Sequence, residues 1–296
     1  MSNNHNLCIS YLDESKIVHN GMQHYTIASM TARKADYIQI IEVEWATLRN
    51  TYNIPNGQVL HFTDIKYLLN PKPKTNRPYK PDLVYIFGDG SGNIDYCKLN
   101  NFFNDVLNTI SSLPFVVQVT GLKSNPRHNI RQHGNRDFKS FVYFPPYIAL
   151  REHLDLMAVY LLDLHHSAKT RYNKQSKCIT KLRYDGDVGL EERDDLKEAY
   201  HHAITLGTKH FRPEIIKTLF DEIRFIGKQE VAQTGPITHA GSEIIDFITT
   251  IAARNMWGLE TNKIPINVPN HANPIDPLPV INSKIVNQQK INDIYF

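Results

Sequence analysis

Cysteine is scarce in this chain: Cys8, Cys97 and Cys178 are odd in number, far apart and form no CxxC pair. That argues against a disulfide framework and against a structural zinc site, and makes a reducing cytoplasm the expected setting. Long apolar runs are lacking as well. A bilayer span needs ~20 apolar residues, and the best stretch, Leu154 to Leu164, is broken by Asp155 and Asp163. No membrane partner is therefore expected. Met1 to Asn6 is polar and lacks the charged-then-apolar build of a secretion signal. The glycine-rich Gly88-Asp89-Gly90-Ser91-Gly92 has neither the Lys-Ser/Thr of a P-loop nor dinucleotide spacing, so it reads as a loop tip. No nucleophile elbow or Ser-His-Asp signature occurs. Charge is nearly balanced at +3, which says little about a polyanionic partner.

What remains is an ordinary soluble composition over 296 residues, enough for one large domain with a substantial core. Leu7, Ile9 and Tyr11 alternate with Cys8, Ser10 and Leu12, predicting a buried strand that ends on Asp13-Glu14. Asn20-Gly21 predicts a hairpin turn into a second strand over His24–Met30. Ile38, Ile41, Trp45, Leu48 and Tyr52 share one helical face. Val59 to Asp64 reads as a short strand or the entry to a small helix. Helices are expected near Asn100–Ile110, from Tyr147, over Glu191–Leu206 and over His239–Met256. Strands are expected over Phe115–Thr120, Cys178–Asp187 and Ile223–Ile226. Two basic stretches, 72–80 and 123–139, interrupt this pattern as exposed excursions, and the proline- and asparagine-rich 257–296 reads as an extended tail.

The chemistry rests on carboxylates. Asp13 falls on the same strand face as Tyr11, where a lone acid at the edge of a core is costly. A later strand ends on Asp185, preferred over Asp187 because Gly186 begins the turn. Glu243 and Asp246 lie i,i+3 on one flank of the last helix, with no Lys or Arg three or four residues away. Two acids at strand ends and one on a late helix suit a hard divalent cation, Mg²⁺ or Mn²⁺, and two such ions ~4 Å apart can drive phosphodiester cleavage. His61, beside Leu60 and Phe62, is either a general base or a hydrogen-bonded core residue. The pairs His165-His166 and His201-His202, with His210, read as surface histidines, since neighbours on a helix diverge.

Tyr11-Leu12-Asp13-Glu14-Ser15, Leu60-His61-Phe62, the strand ending in Asp185 and Gly241-Ser242-Glu243-Ile244-Ile245-Asp246 together resemble the domain of unknown function family 3800, over residues 7–256. The resemblance implies a ribonuclease H-like α/β fold and metal-dependent nuclease activity, in a family often found near mobile elements or phage-defence genes. This chain departs from the family pattern at Lys16, where Gly is usual, and at Val59, where Glu is usual. Its helix carries Glu243-Ile244-Ile245-Asp246 in place of Gln-Leu-Ala-Asp. Glu243 keeps or adds a ligand, whereas Val59 takes one away.

The expected molecule is thus an α/β, ribonuclease H-like mixed sheet flanked by helices, spanning 1–256 with insertions at about 67–95 and 123–145 and the tail at 257–296. Its expected function is phosphodiester hydrolysis in DNA or RNA with Mg²⁺ or Mn²⁺, in phage or mobile-element defence. Asp13, Asp185, Asp246 and Glu243 are the expected metal ligands, with Glu14 in support and His61 positioning substrate or moving a proton. Nucleic acid is expected to contact the loops 72–80 and 123–139, and a homo-oligomer is among the states the sequence permits. The contrasting expectation is a catalytically degenerate module on the same fold that binds nucleic acid or protein.

Overall fold

The computed structural model describes residues 6–124, 144–172, 178–232 and 235–292. Its first half runs β1 (Asn6–His19), β2 (Met22–Arg33), α1 (Lys34–Asp36), a π-helical turn (Tyr37–Ile41), α2 (Glu42–Thr51), α3 (Phe62–Tyr67), α4 (Pro81–Phe87), α5 (Tyr96–Ser112), β3 (Val116–Ser124) and α6 (Pro145–Tyr172). There follow β4 (Cys178–Asp185), α7 (Leu190–Leu206), α8 (Pro213–Leu219), β5 (Phe220–Ile226), β6 (Gln229–Ala232), β7 (Gly235–Thr238), α9 (Ala240–Trp257), a 3₁₀ turn (Thr261–Lys263), α10 (Leu278–Lys284) and β8 (Ile285–Ile291).

The sheet grows from one hairpin. Asn20 (φ 50°) and Gly21 (φ 74°) are both left-handed, the combination a two-residue turn needs to match strand twist. They register β1 on β2 from Cys8↔Arg33 to His19↔Met22. The first strand therefore does not end at Asp13-Glu14; the acids lie mid-strand. The six strands order as β5-β4-β1-β2-β3-β8, with β1, β2 and β3 antiparallel and β4, β5 and β8 parallel to their neighbours. Alternation divides the side chains between two cores. Tyr11, Ala28, Met30, Val117 and Val119 pack with the helices α2, α5 and α9. Cys8, Leu12, Tyr25, Ile27, Leu182 and Tyr184 pack with α6, α7 and α8. Among the described residues no helix is long and apolar enough to cross a membrane.

Three expectations are corrected. Ile38 does not line the first helix's buried face: it is 49% exposed, and Tyr37 is buried instead. The π turn over Tyr37–Ile41 inserts an extra residue in the helical register, so the face rotates by one position. The described part of 257–296, residues 257–292, is not an extended tail. Ile264, Ile266, Val268 and Ile281 enter the core, and β8 closes the sheet edge beside β3. Within 67–95, residues 71–78 are exposed as expected, but α4 buries Leu83, Ile86 and Phe87. Most of the second insertion, 125–143, lies outside the described residues.

Two contacts give measurable consequences. A Cβ on Gly241, in the first turn of α9, would stand 2.2 Å from Cδ2 of Tyr11. Gly→Ala in a helix normally stabilises by about 1 kcal/mol; Gly241→Ala is expected to destabilise by about 1–3 kcal/mol in urea unfolding, because the Tyr11 ring must move. His153 on α6 is fully buried, its Nδ1 3.0 Å from the Thr120 hydroxyl. Burial pushes its pKa down to about 3. The unfolded chain, with an ordinary histidine, binds the extra proton first as pH falls, so stability is lost from about pH 6.5 downward. Relative to His153→Gln, the parent should lose up to about 1.4 kcal/mol per pH unit between those two values.

Candidate functional site

Parallel pairing of β1 with β4, in the register Leu12↔Tyr184, brings Asp13 and Asp185 side by side on the α9 face of the sheet. Asp185 closes β4. Beyond it the Gly186 N–H donates to the Ile226 carbonyl (2.7 Å), and the Asp187 N–H donates to Asp185 Oδ1 (3.1 Å). A Cβ on Gly186 would lie 2.7 Å from the Ile226 backbone, so the turn that frees Asp185 requires glycine. Asp187 itself is exposed.

The turn after β5 delivers Lys228, only 4% exposed, into the middle of the group. Its Nζ donates to Asp246 Oδ1 (2.7 Å) and to His61 Nδ1 (3.1 Å), and forms an ion pair with Asp185 Oδ2 (2.9 Å). An ammonium has only protons to give, so His61 Nδ1 accepts and the imidazole proton sits on Nε2. The 3.5 Å approach of Nδ1 to Asp246 is then a contact, not a second hydrogen bond. Burial works to lower the Lys228 pKa, but the charge of Asp246, Asp13 and Asp185 outweighs it and holds the ammonium above the usual lysine range.

Glu243 and Asp246 leave the same helix flank for different partners. Glu243 is completely buried and takes hydrogen bonds from Arg49 Nη1 (2.7 and 2.8 Å), Trp45 Nε1 (2.7 Å) and the Leu60 N–H (2.9 Å). Asp246 Oδ2 accepts from the Phe62 N–H (2.7 Å). The two carboxylates thus pin the backbone on either side of His61, where the chain is still extended before α3 begins. Glu243 holds that segment and does not join the acid group. Glu14 does not join it either. It faces the opposite core, where Lys16 Nζ lies 3.4 Å away and Oε2 has no hydrogen-bond partner among the described residues. Burial, with Glu192 nearby, pushes its carboxyl up to about 7.

Compared with family models, curated proteins and solved structures, the chain matches none. Among the described residues no group of three or more His, Cys, Asp or Glu is arranged to hold a metal ion as it stands. Asp185 and Asp246 each give one oxygen to Lys228 and the other to a backbone N–H. The Asp13 carboxylate is buried, yet accepts no hydrogen bond and makes no ion pair among the described residues. Burial, followed by the charges of Asp246 and Glu14, pushes its pKa well above the carboxylate range. A deficit of positive charge therefore sits at Asp13. Mg²⁺ is commonly held by one or two carboxylates with water and phosphate completing its shell, so the hard, uncompensated oxygens fit one such ion. Lys228 already supplies a positive charge between Asp185 and Asp246.

Sequence reasoning brought Asp13, Asp185, Asp246 and His61 to this place and missed Lys228. Nothing in Ile226-Gly227-Lys228 distinguishes it from a lysine that closes an ordinary surface strand.

Proposed function

We propose that the chain hydrolyses phosphodiester bonds in nucleic acid, on a ribonuclease H-like fold, with one divalent ion held at Asp13 and its neighbours. The observation that carries this is the uncompensated Asp13 carboxylate beside a lysine-centred acid pair, reachable from the partly exposed His61. The strand series supports the fold reading: three antiparallel strands from a hairpin, then β4 and β5 added parallel beside β1. When bound, Mg²⁺ or Mn²⁺ would supply Lewis-acid polarisation of a phosphoryl oxygen.

The chain's own groups do the rest. Asp13 and one oxygen each from Asp185 and Asp246 are the candidate ligands. Lys228 keeps those two aspartates ionised and oriented, and places a fixed positive charge where a phosphate gains negative charge during cleavage. His61, its Nδ1 accepting from Lys228, offers a hydrogen bond from its Nε2–H to a phosphoryl or leaving oxygen. Glu243 positions His61 through Leu60. The family's usual second-ligand position is Val59 in this chain, which agrees with one ion plus a lysine in place of two ions.

The direct test is cleavage of labelled single- and double-stranded DNA and RNA with Mn²⁺ or Mg²⁺, against a chelator. Cleavage is expected only with the ion and should return when the ion is restored. One observation favours a second reading, a module that binds without cleaving: Lys228 already neutralises part of the acid group. Binding unchanged by chelator, with no cleavage of any substrate, would support that reading instead.

A further inference from the structure

The 72–80 loop does not offer the most coherent polyanion surface among the described residues. Of the 72–80 loop's cations, Lys80 pairs with Asp64 at 2.6 Å, and Arg77 lies 3.4 Å from the same carboxylate with its guanidinium over Tyr67. A different surface adjoins the acid site. A cleft of ≈ 670 Å³ runs along the β5 edge of the sheet, and its lining includes Tyr11, Arg183, Arg193, Lys197, Arg224 and Phe225. Four of these are cations, against the single lining acid Glu230.

Register places the cleft relative to the chemistry. Tyr11 stands opposite Arg183, and Arg183 opposite Arg224, making one row across β1, β4 and β5. Asp13 and Asp185 are two residues further along β1 and β4, on the same face, which is roughly 7 Å along the strands. Glu222 accepts from both Arg183 (3.3 Å) and Arg224 (2.8 Å), so one carboxylate serves two guanidiniums and positive charge is left over. On the other side of the edge, Arg193 and Lys197 stand over the Phe225 ring at 5.6 and 5.9 Å. Arg193 also donates to the Gly186 carbonyl, tying this wall to the turn that presents Asp185.

We infer that this cleft seats the backbone of a single-stranded nucleic acid and leads it to the acid site. The inference rests on the nuclease reading for the role of the site, but not for binding itself. A run of cations beside a partly exposed ring, here Phe225, is the kind of surface single strands use, the phosphates taking the charge; Tyr11 is only 3% exposed and offers bases no face. The row spacing matches a backbone advancing about one nucleotide from the Arg183 row to the Asp13 row.

The test is fluorescence anisotropy of labelled single-stranded DNA and RNA, about 16 nucleotides long, with chelator present so that no cleavage occurs. Arg224→Gln/Lys197→Gln changes two exposed side chains and leaves the cores untouched. It is expected to weaken binding at least tenfold and to flatten the slope of log affinity against log salt by about 1.4, two contacts at about 0.7 each. Lys72→Gln/Lys74→Gln in the loop should bind like the parent. Unchanged affinity and slope in the cleft variant, no single-strand binding by the parent, or tighter binding of duplex would each overturn the inference. A parent that binds through the cleft yet cleaves nothing with Mn²⁺ would sink the nuclease reading alone. A parent that cleaves, with the cleft variant binding as tightly, would sink the cleft alone.

Discussion

Asp13→Asn is expected to lower metal-dependent cleavage by at least about 10³-fold, some 4 kcal/mol of transition-state stabilisation, while making the protein more stable. The two effects have one cause. Asp13 is ionised at neutral pH only at a cost, because burial and the charges of Asp246 and Glu14 raise its folded-state pKa. A carboxyl whose pKa is raised on folding destabilises fully above that raised value, and the penalty fades as pH falls from there to the unfolded-state pKa. Asparagine keeps the shape and removes the charge, so midpoints in urea should rise at pH 7 and converge with the parent in acid. Asp246→Asn is expected to lose activity to a similar degree without that gain. Its carboxylate is used by Lys228 and Phe62, and the neighbouring His61 and Lys228 hold its pKa down against burial. A residue that mattered only for packing would not separate stability from activity in this way.

Glu243→Ala has the largest expected effect on folding. It strands the Arg49 guanidinium and leaves Trp45 Nε1 and the Leu60 N–H without their acceptor, all within the main core. Breaking one side of a buried pair costs about 3–5 kcal/mol. The paired replacement Arg49→Met/Glu243→Met should recover most of that loss, since apolar side chains of similar volume pack without stranded charge. Urea midpoints for the two proteins check this. Were Glu243 a metal ligand, its loss would instead weaken ion binding and leave the midpoint near the parent's.

These contrasts show what the sequence could carry. Period and turn chemistry are local, so the Asn20-Gly21 hairpin, the amphipathic α5 and α7 and the end of β4 at Asp185 were all legible. Asp13, Asp185 and Asp246 were legible as candidates because each is an acid placed against local preference. Glu243 looked the same by spacing, and its partner Arg49 is 194 residues away, beyond any i,i+4 rule. Lys228 had no local signature, and only the sheet's closure beside β5 gives it a meaning. The π turn was hidden because an inserted residue leaves an apolar pattern almost intact while rotating it. The closing segment read as a tail because Pro265, Pro269, Pro274 and Pro277, with Pro279 in the first turn of α10, mask the short α10 and β8.

The most direct test of the account is cleavage of a labelled single strand by the parent and by Asp13→Asn, purified alike and supplied with Mn²⁺. Cleavage confined to the parent, with the variant folded and binding the strand through the cleft, is the predicted result. Equal cleavage by both, or none by a parent that binds the strand, would contradict it.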